Sequence, residues 1–356
     1  MTIGESNAIR ESFRAQGELC RALGSPFTGA LCDLIAERLR GESRFGRRIL
    51  EWTGDPRNDV LALRAAGAFH ALARSGGVPA LTAAYPPAAL DHSRLWIGMA
   101  AAIAGQDDWL FAYLDSPPQT NEVARSAIIL GGCLTVAHVT GLPLALYEIG
   151  SSAGLNLIFD RYRYDLGQGS WGAATSPVVI ACDWQGNVPP LDTPLTIASR
   201  AGVDLRPLDP ALPADRGRLL SYIWPDQAQR LARTAAALDL AAACPWHVSI
   251  GDAADWVAAE LDRTPQAGVT RVLMHTIVWQ YLPKPSRARI RAALESAGSL
   301  ARPDAPLAWL RMEYAGDWTA AGVSLTLWPD GEEVRLGTAD YHGRWARWEK
   351  PASLAA

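Results

Sequence analysis

No run of lysine and arginine in this 356-residue chain reaches the roughly five- to eight-residue clusters that mark a nucleic-acid or anionic-membrane footprint, and the formal net charge is −4. Polyanionic partners are therefore not expected: the sequence points to a small-molecule substrate, with no nucleic acid and no membrane. Cysteine is sparse and scattered. Cys20, Cys32, Cys133, Cys182 and Cys244 form no CxxC pair and no Cys/His ligand spacing, so neither a disulfide framework nor a zinc site is expected, and ligand spacing implies no metal. Long apolar runs are missing as well. The longest, Ala127 to Ala137, contains Gly131, Gly132 and Thr135 and is about half the length that crosses a bilayer, which predicts a buried helix. The opening "MTIGESNAIRESFRAQGE" carries acidic residues and no apolar segment. No secretory signal is expected there, and a cytoplasmic location follows as the expectation.

What the chain does contain is core material. Its composition is 49% hydrophobic and 20% charged, enough to pack a globular interior. Its length exceeds that of one ordinary core, so a main domain with a sizeable accessory domain is expected. Fourteen tryptophans are many for this length; most are expected in cores, while an aromatic face can also hold a cationic ligand such as a sulfonium.

The pattern changes near residue 140. Before it, segments such as "LALRAAGAFHALARSG" place Leu61, Leu63, Ala66, Phe69, Ala71 and Leu72 near helical spacing, with Gly76-Gly77 as the stop. Breaks at "GDPRND", "YPPAALDHS" and "DSPPQTN" divide residues 1–140 into five or six helices, read as a helical accessory or cap domain. After it, short apolar runs alternate with helical stretches, which predicts an α/β domain over 141–350 built on a parallel sheet. The predicted strands are "LALYEI", "LTIASRAGVDLRPLD", "HVSI", "RVLMHTIVW" and "LAWLRMEY". Helices are expected after the first strand, over Ala214 to Ala243, and in "DAADWVAAEL" and "PSRARIRAALESAG". A hairpin insertion is expected near 162–190, and Pro329-Asp330-Gly331 predicts a turn in a closing antiparallel hairpin.

The stretch "LALYEIGSSAGLNLIFD" has two readings. Gly150-Ser151-Ser152-Ala153-Gly154 fits the G-x-S-x-G nucleophile elbow, in which Ser152 attacks an acyl group and Asp252 with His275 or His342 completes a triad order. The same residues fit a small-residue loop after a first parallel strand, where a helix beginning near Gly154 turns its N-terminus toward a nucleotide-like ligand. The second reading uses more of the chain. Glu148 precedes Gly150 at the strand end, Asp204 or Asp209 lies near the end of the second strand, and Asp252-Ala253 follows the third.

That ordered set, E-x-G-x-G-x-G with serine for the middle glycine, resembles motif one and its companions in the Rossmann-like class I S-adenosylmethionine-dependent methyltransferases. Over almost its full length the chain also resembles an uncharacterised bacterial family, domain of unknown function 2332. The likeness is carried by "LRAAGAFHALARSGG", "QTNEVARSAIILGG", "YEIGSSAGLNLIFDRYRYD", "SRAGVDLRPLD", "YIWPDQAQRLAR" and "MHTIVWQYLP". The resemblance implies a Rossmann-like sheet, mostly parallel with a C-terminal antiparallel hairpin, and S-adenosylmethionine as cofactor. Glu148, Gly150, Ser151, Ser152, Gly154, Asn156, Asp204, Asp209, Asp252 and Ala253 are the implied cofactor contacts. A carboxylate after the second strand would accept the ribose hydroxyls and Asp252 the adenine amino group. The implied activity is methyl transfer to a small acceptor, with sulfonium elimination or cyclisation, the serine hydrolase and a non-catalytic cofactor-binding protein as alternatives.

Substrate-side candidates flank that loop. His275 follows the apolar run Val272 to Met274 and is the candidate base, with Tyr281 as an aromatic wall and Glu313 at the fifth strand's end. Asn121, Glu122 and Arg125 share one helix face leading into the first strand; an N-cap with a surface ion pair accounts for them equally. Arg161, Tyr162 and Tyr164 either close the site or form an ordinary strand face.

Overall fold

A computed structural model describes residues 3–349 of the chain, as a mixed α/β structure with a large, mostly parallel sheet and many helices. In chain order come helices α1 (Ile3–Ala22), α2 (Pro26–Arg38), α3 (Arg44–Leu50), α4 (Leu61–Ser75), α5 (Pro79–Thr82), α6 (His92–Tyr113) and α7 (Ser126–Thr140). Strand β1 (Leu144–Ile149) follows, then a 3-10 helix over Leu155–Arg161 and strands β2 (Arg163–Asp165), β3 (Ser170–Trp171), β4 (Val179–Ala181), β5 (Asp183–Gly186) and β6 (Ile197–Asp204). Helices α8 (Pro213–Ser221) and α9 (Ala228–Ala242) lead to β7 (Ser249–Ile250), α10 (Ala253–Asp262) and β8 (Thr270–Thr276). After a short 3-10 turn at Trp279–Tyr281 come α11 (Lys284–Ser299), β9 (Leu307–Tyr314), β10 (Ala321–Trp328), β11 (Glu332–Ala339) and β12 (Trp345–Trp348).

The chain divides into two compact units, one of residues up to Thr120 with Leu212–Ala235, the other of Asn121–Ala211 with Ala236 onward. The division thus falls at Asn121, ahead of α7, and the first unit takes back a segment from the middle of the chain. That first unit is helical, and local chemistry sets its helix ends. Ser25, Ser43 and Asp91 cap α2, α3 and α6 with side-chain oxygens on backbone N–H groups, and α4 stops at Gly76 in the left-handed conformation. Phe27, Leu31, Phe45, Phe69, Leu95, Met99 and Tyr222 share its core. Asp226 holds the returning segment by accepting the Ser25 hydroxyl at 2.6 Å and the Phe27 N–H at 2.9 Å. The helical run expected over Ala214 to Ala243 is two helices, because the chain breaks around Pro225 between α8 and α9.

The second unit is built on a nine-stranded sheet in the order β5-β12-β11-β10-β9-β8-β1-β6-β7. From β9 to β7 every neighbouring pair is parallel. Counting those five strands along the chain, their spatial order is third, second, first, fourth, fifth, so the direction of winding reverses between β1 and β8. The central strands β1, β8 and β9 are buried along nearly their whole length because both faces are covered. On one face Ile149, Val203, Leu273, Leu307 and Trp309 pack against Val257 and Leu261 of α10 and Ile290 and Leu294 of α11.

The other face belongs to α7, the longest apolar run of the chain. It is buried nearly all round, as a core helix should be, and 72% of the apolar window Val123–Thr140 lies inside the structure. Gly131 and Gly132 permit its close approach: a Cβ there would come within 2.7 Å of the Trp184 ring and 2.4 Å of Leu310 respectively. Beyond β9 the sheet continues as the antiparallel series β10, β11, β12. The segment after the 3-10 helix makes a separate small sheet, β3-β2-β4, before β5 joins the edge of the large sheet beside β12. The helix expected after Gly154 is this seven-residue 3-10 segment, which the Tyr162 and Tyr164 hydroxyls pin by donating to the carbonyls of Leu155 and Phe159.

Candidate functional site

In a doubly wound sheet, ligands bind outside the carboxyl ends of the strands where the winding direction reverses. Here that point is the edge of β1 and β8, and the two loops leaving these strands are strained. Gly150, Ser152 and Gly154 have positive φ (68°, 53° and 71°), as does Ile277 after β8 (53°). A β-branched residue in this region is a genuine outlier, and such strain costs of order 1–3 kcal/mol per residue. The two loops touch: a Cβ on Gly150 would sit 2.6 Å from the Val278 side chain.

The first loop does not present an open cradle of N–H groups. Gly150 and Ser151 both donate to the carbonyl of Val203, Ser152 donates to the Asp204 carboxylate at 2.9 Å, and Gly154 donates to Ser151. The Leu155 N–H, first in the 3-10 segment, is taken by the Asn121 side chain at 3.0 Å. A ligand at this edge is therefore met by side chains. Nor is Gly154 small to admit a cofactor: its absent Cβ would lie 2.7 Å from the Trp246 ring and 3.1 Å from Val248.

The side chains that remain are unusual. Glu148, Ser152 and Asn156 are each at most 3% exposed, and Glu148 Oε2, Ser152 Oγ and Asn156 Oδ1 have no hydrogen-bond partner. The Asn156 amide bonds to the Glu148 carboxyl, and Ser151 Oγ donates to the Glu148 carbonyl at 2.7 Å. Burial drives the Glu148 carboxyl well above the usual carboxylate range, outweighing the Asn156 bond that favours ionisation. Buried acceptors without donors are expensive, about 1–3 kcal/mol each, so this cluster suits a ligand that brings hydrogen-bond donors or positive charge. Alternation along β1 turns Glu148 to the face of α7, opposite Ile149. Arg125, just before α7, donates to the carbonyl of Tyr341 and at 3.4 Å to that of Thr276. The Arg125 charge acts on Glu148 in the ionising direction, against burial.

His275 faces the other way. Its Nδ1 lies 2.6 Å from Glu313 Oε1, and Trp309 Nε1–H donates to its Nε2 at 3.0 Å. Since an indole nitrogen only donates, Nε2 accepts and Nδ1–H donates. The ring is 1% exposed and stacks on Trp279 at 5.2 Å. Both nitrogens are consumed, so the role of base expected of His275 has no lone pair to act through. Glu313 is engaged too, taking the N–H groups of Val278 (3.1 Å) and Trp279 (3.2 Å) besides His275. Together they hold the strained Ile277 turn.

The other expected site residues resolve mostly into local structure. Asp209 accepts the N–H of Ala211 in a turn. Asp252 caps α10 by accepting from Ala254 and Asp255, with Ala253 buried as its first residue. Glu122 accepts the Ala124 N–H as a helix cap. Tyr162 and Tyr164 are fully buried structural residues, Arg161 is exposed, and Tyr281 is 75% exposed. Asp204 stays at the edge, with Oδ2 on Ser152 N–H and Oδ1 on Arg206 N–H. Nothing in the sequence around Trp246, Trp279 or Trp309 marks them as site residues; only the register of β9 puts Trp309 and Glu313 on the same face as His275. A further feature is a rim of exposed apolar residues, Leu205, Ile250, Tyr281, Tyr314 and Trp318, each at or just beyond the carboxyl end of one of the strands β6 to β9. Among the described residues no group of three or more His, Cys, Asp or Glu side chains is placed to hold a metal ion.

The chain belongs to the family described as "Uncharacterized protein conserved in bacteria (DUF2332)", whose profile matches residues 10–348. No curated protein and no solved structure matches it significantly.

Proposed function

We propose that this family member is a Rossmann-like, S-adenosylmethionine-binding enzyme acting on a small acceptor at the edge of β1 and β8. The observation that carries this reading is the unpartnered acceptor set of Glu148, Asn156 and Ser152 at the reversal point of the sheet. Its chemistry fits the cofactor: S-adenosylmethionine carries an ammonium that Glu148 and Asn156 would accept, and ribose hydroxyls suited to the free lone pairs of Asp204. Asp252 spends only Oδ1 on its helix cap, so Oδ2 remains suited to an adenine amino group. When bound, the cofactor supplies an electrophilic methyl on a sulfonium. The chain's own part is to bind and orient: Glu148 releases its proton to pair with the incoming ammonium, and the apolar rim from Leu205 to Trp318 holds an acceptor with an apolar body away from water. No side chain is assigned as base, and catalysis rests on positioning.

The serine hydrolase alternative has less support. A nucleophile needs a base in hydrogen-bond reach, and Ser152 Oγ has no partner at all. Calorimetry with S-adenosylmethionine and S-adenosylhomocysteine tests the proposal: binding tighter than about millimolar is expected, weakened at least about tenfold in Glu148→Gln. Absence of binding by both ligands would overturn it. Release of methylthioadenosine in place of S-adenosylhomocysteine would reassign the reaction from methyl transfer to elimination or cyclisation.

A further inference from the structure

A second polar feature lies at the opposite, N-terminal end of β8. Between α10 and α11 is a cavity of about 750 Å³, lined by the apolar Ala258, Leu261, Ala297 and Leu300 and by Arg263, Arg271 and Arg302. The one acidic lining residue, Asp262, is exposed, and nearby Glu260 is engaged by Arg263 at 2.9 Å. Arg271 is the anomaly. It is 6% exposed, its Nη1 donates to the carbonyls of Leu261 and Arg263, and its Nε and Nη2 have no partner.

These two nitrogens form one edge of the guanidinium, the side-on fork whose parallel N–H groups match the two oxygens of a carboxylate. A buried guanidinium without an anion is costly, and burial here weakens the hold on its proton. The lining therefore offers a desolvated fork and an apolar wall, while Arg263 and Arg302 are already paired with Glu260 and Asp304. We infer that this cavity is a binding site for a small carboxylate with an apolar body, separate from the edge of β1 and β8.

Calorimetry of the full chain with sodium phenylacetate, against its neutral analogue phenylacetamide and inorganic phosphate, tests the inference. Saturable binding of phenylacetate alone is expected, with at least about a tenfold loss in Arg271→Met. That variant should keep or raise the melting temperature, because it removes an uncompensated buried charge. Should it fail to fold, Arg271→Lys keeps the charge without the fork, and an equal loss of affinity is expected. Equal binding of phenylacetate by either variant, equal binding of phenylacetamide, preference for phosphate, or no binding up to about 10 mM would each overturn the assignment.

Discussion

Glu313 and His275, 38 residues apart and on adjacent strands, meet at 2.6 Å through Oε1 and Nδ1, and Glu313 also ties down the N–H groups of Val278 and Trp279. The pair is a brace for the strained turn at Ile277, whose φ of 53° no β-branched residue adopts unaided. Replacing His275 by Gln puts one terminal amide where the ring held two partners at once, so either the Glu313 or the Trp309 bond is lost inside a buried site. The expected outcome is a loss of roughly 2–4 kcal/mol in denaturant unfolding, the scale of a broken buried network. If activity is measured against pH, the profile of the variant should have the same shape as that of the wild type. Loss of a fall in activity at acidic pH that the wild type shows, with stability unchanged, would return the role of base to His275.

Glu148 gives a pH signature of opposite sign to ordinary acid denaturation. Its folded carboxyl is held protonated above the usual range by burial, while in the unfolded chain it ionises near about 4.3. Between those values the native state binds more protons than the unfolded state, so this group's contribution to stability falls as pH rises. Glu148→Gln removes the titration while keeping the shape. The variant should gain on the wild type as pH rises above the ordinary carboxyl range, by at most about 1.4 kcal/mol per pH unit. Parallel stability curves would mean that Glu148 is ionised in the folded protein.

Much of the scaffold was legible because it is written in local patterns. The runs "LALYEI" and "LAWLRMEY" are strands to the residue, and "PDG" is the β10–β11 turn, since periodicity and turn chemistry need only neighbours in sequence. The candidate site was legible in part: Glu148, Ser152, Asn156 and Asp204 do meet at one edge. What the sequence withheld depends on register. Nothing near Trp309 marks it as the partner of His275, and nothing near Trp246 shows that it occupies the space over Gly154. The helix expected after Gly154 failed because tertiary bonds to Asn121, Tyr162 and Tyr164 outweigh its propensity.

Gly154 tests that packing. Gly154→Val, at a position the resemblance assigns to cofactor contact, should destabilise the loop itself, because φ is 71° and Trp246 lies in the way. Gly154→Ala is expected to cost about 1–3 kcal/mol. Combining it with Trp246→Ala removes the clash but not the backbone strain, so the double variant should lose less than the sum of the singles. A double-mutant cycle in urea reads this directly, and strict additivity would show that Trp246 yields freely.

His70, in the first unit, sets a second pH dependence. It is buried on α4, with Nδ1–H donating to the Ser221 carbonyl at 3.0 Å and its ring stacked 5.7 Å from Tyr85. Burial lowers its pKa to about 4. In the unfolded chain it titrates near about 6.5, so between those values the unfolded state binds a proton that the native state refuses. Stability in this unit therefore drops on acidification through that window, by up to about 3 kcal/mol for a shift of this size. His70→Gln cannot titrate. It should lose roughly 1–2 kcal/mol at neutral pH through poorer packing, yet converge with or overtake the wild type as pH approaches 4. Hydrogen exchange of α4 and α8 amides across that range isolates the first unit. Protection factors that keep a constant ratio between wild type and variant would mean that His70 does not drive the acid lability.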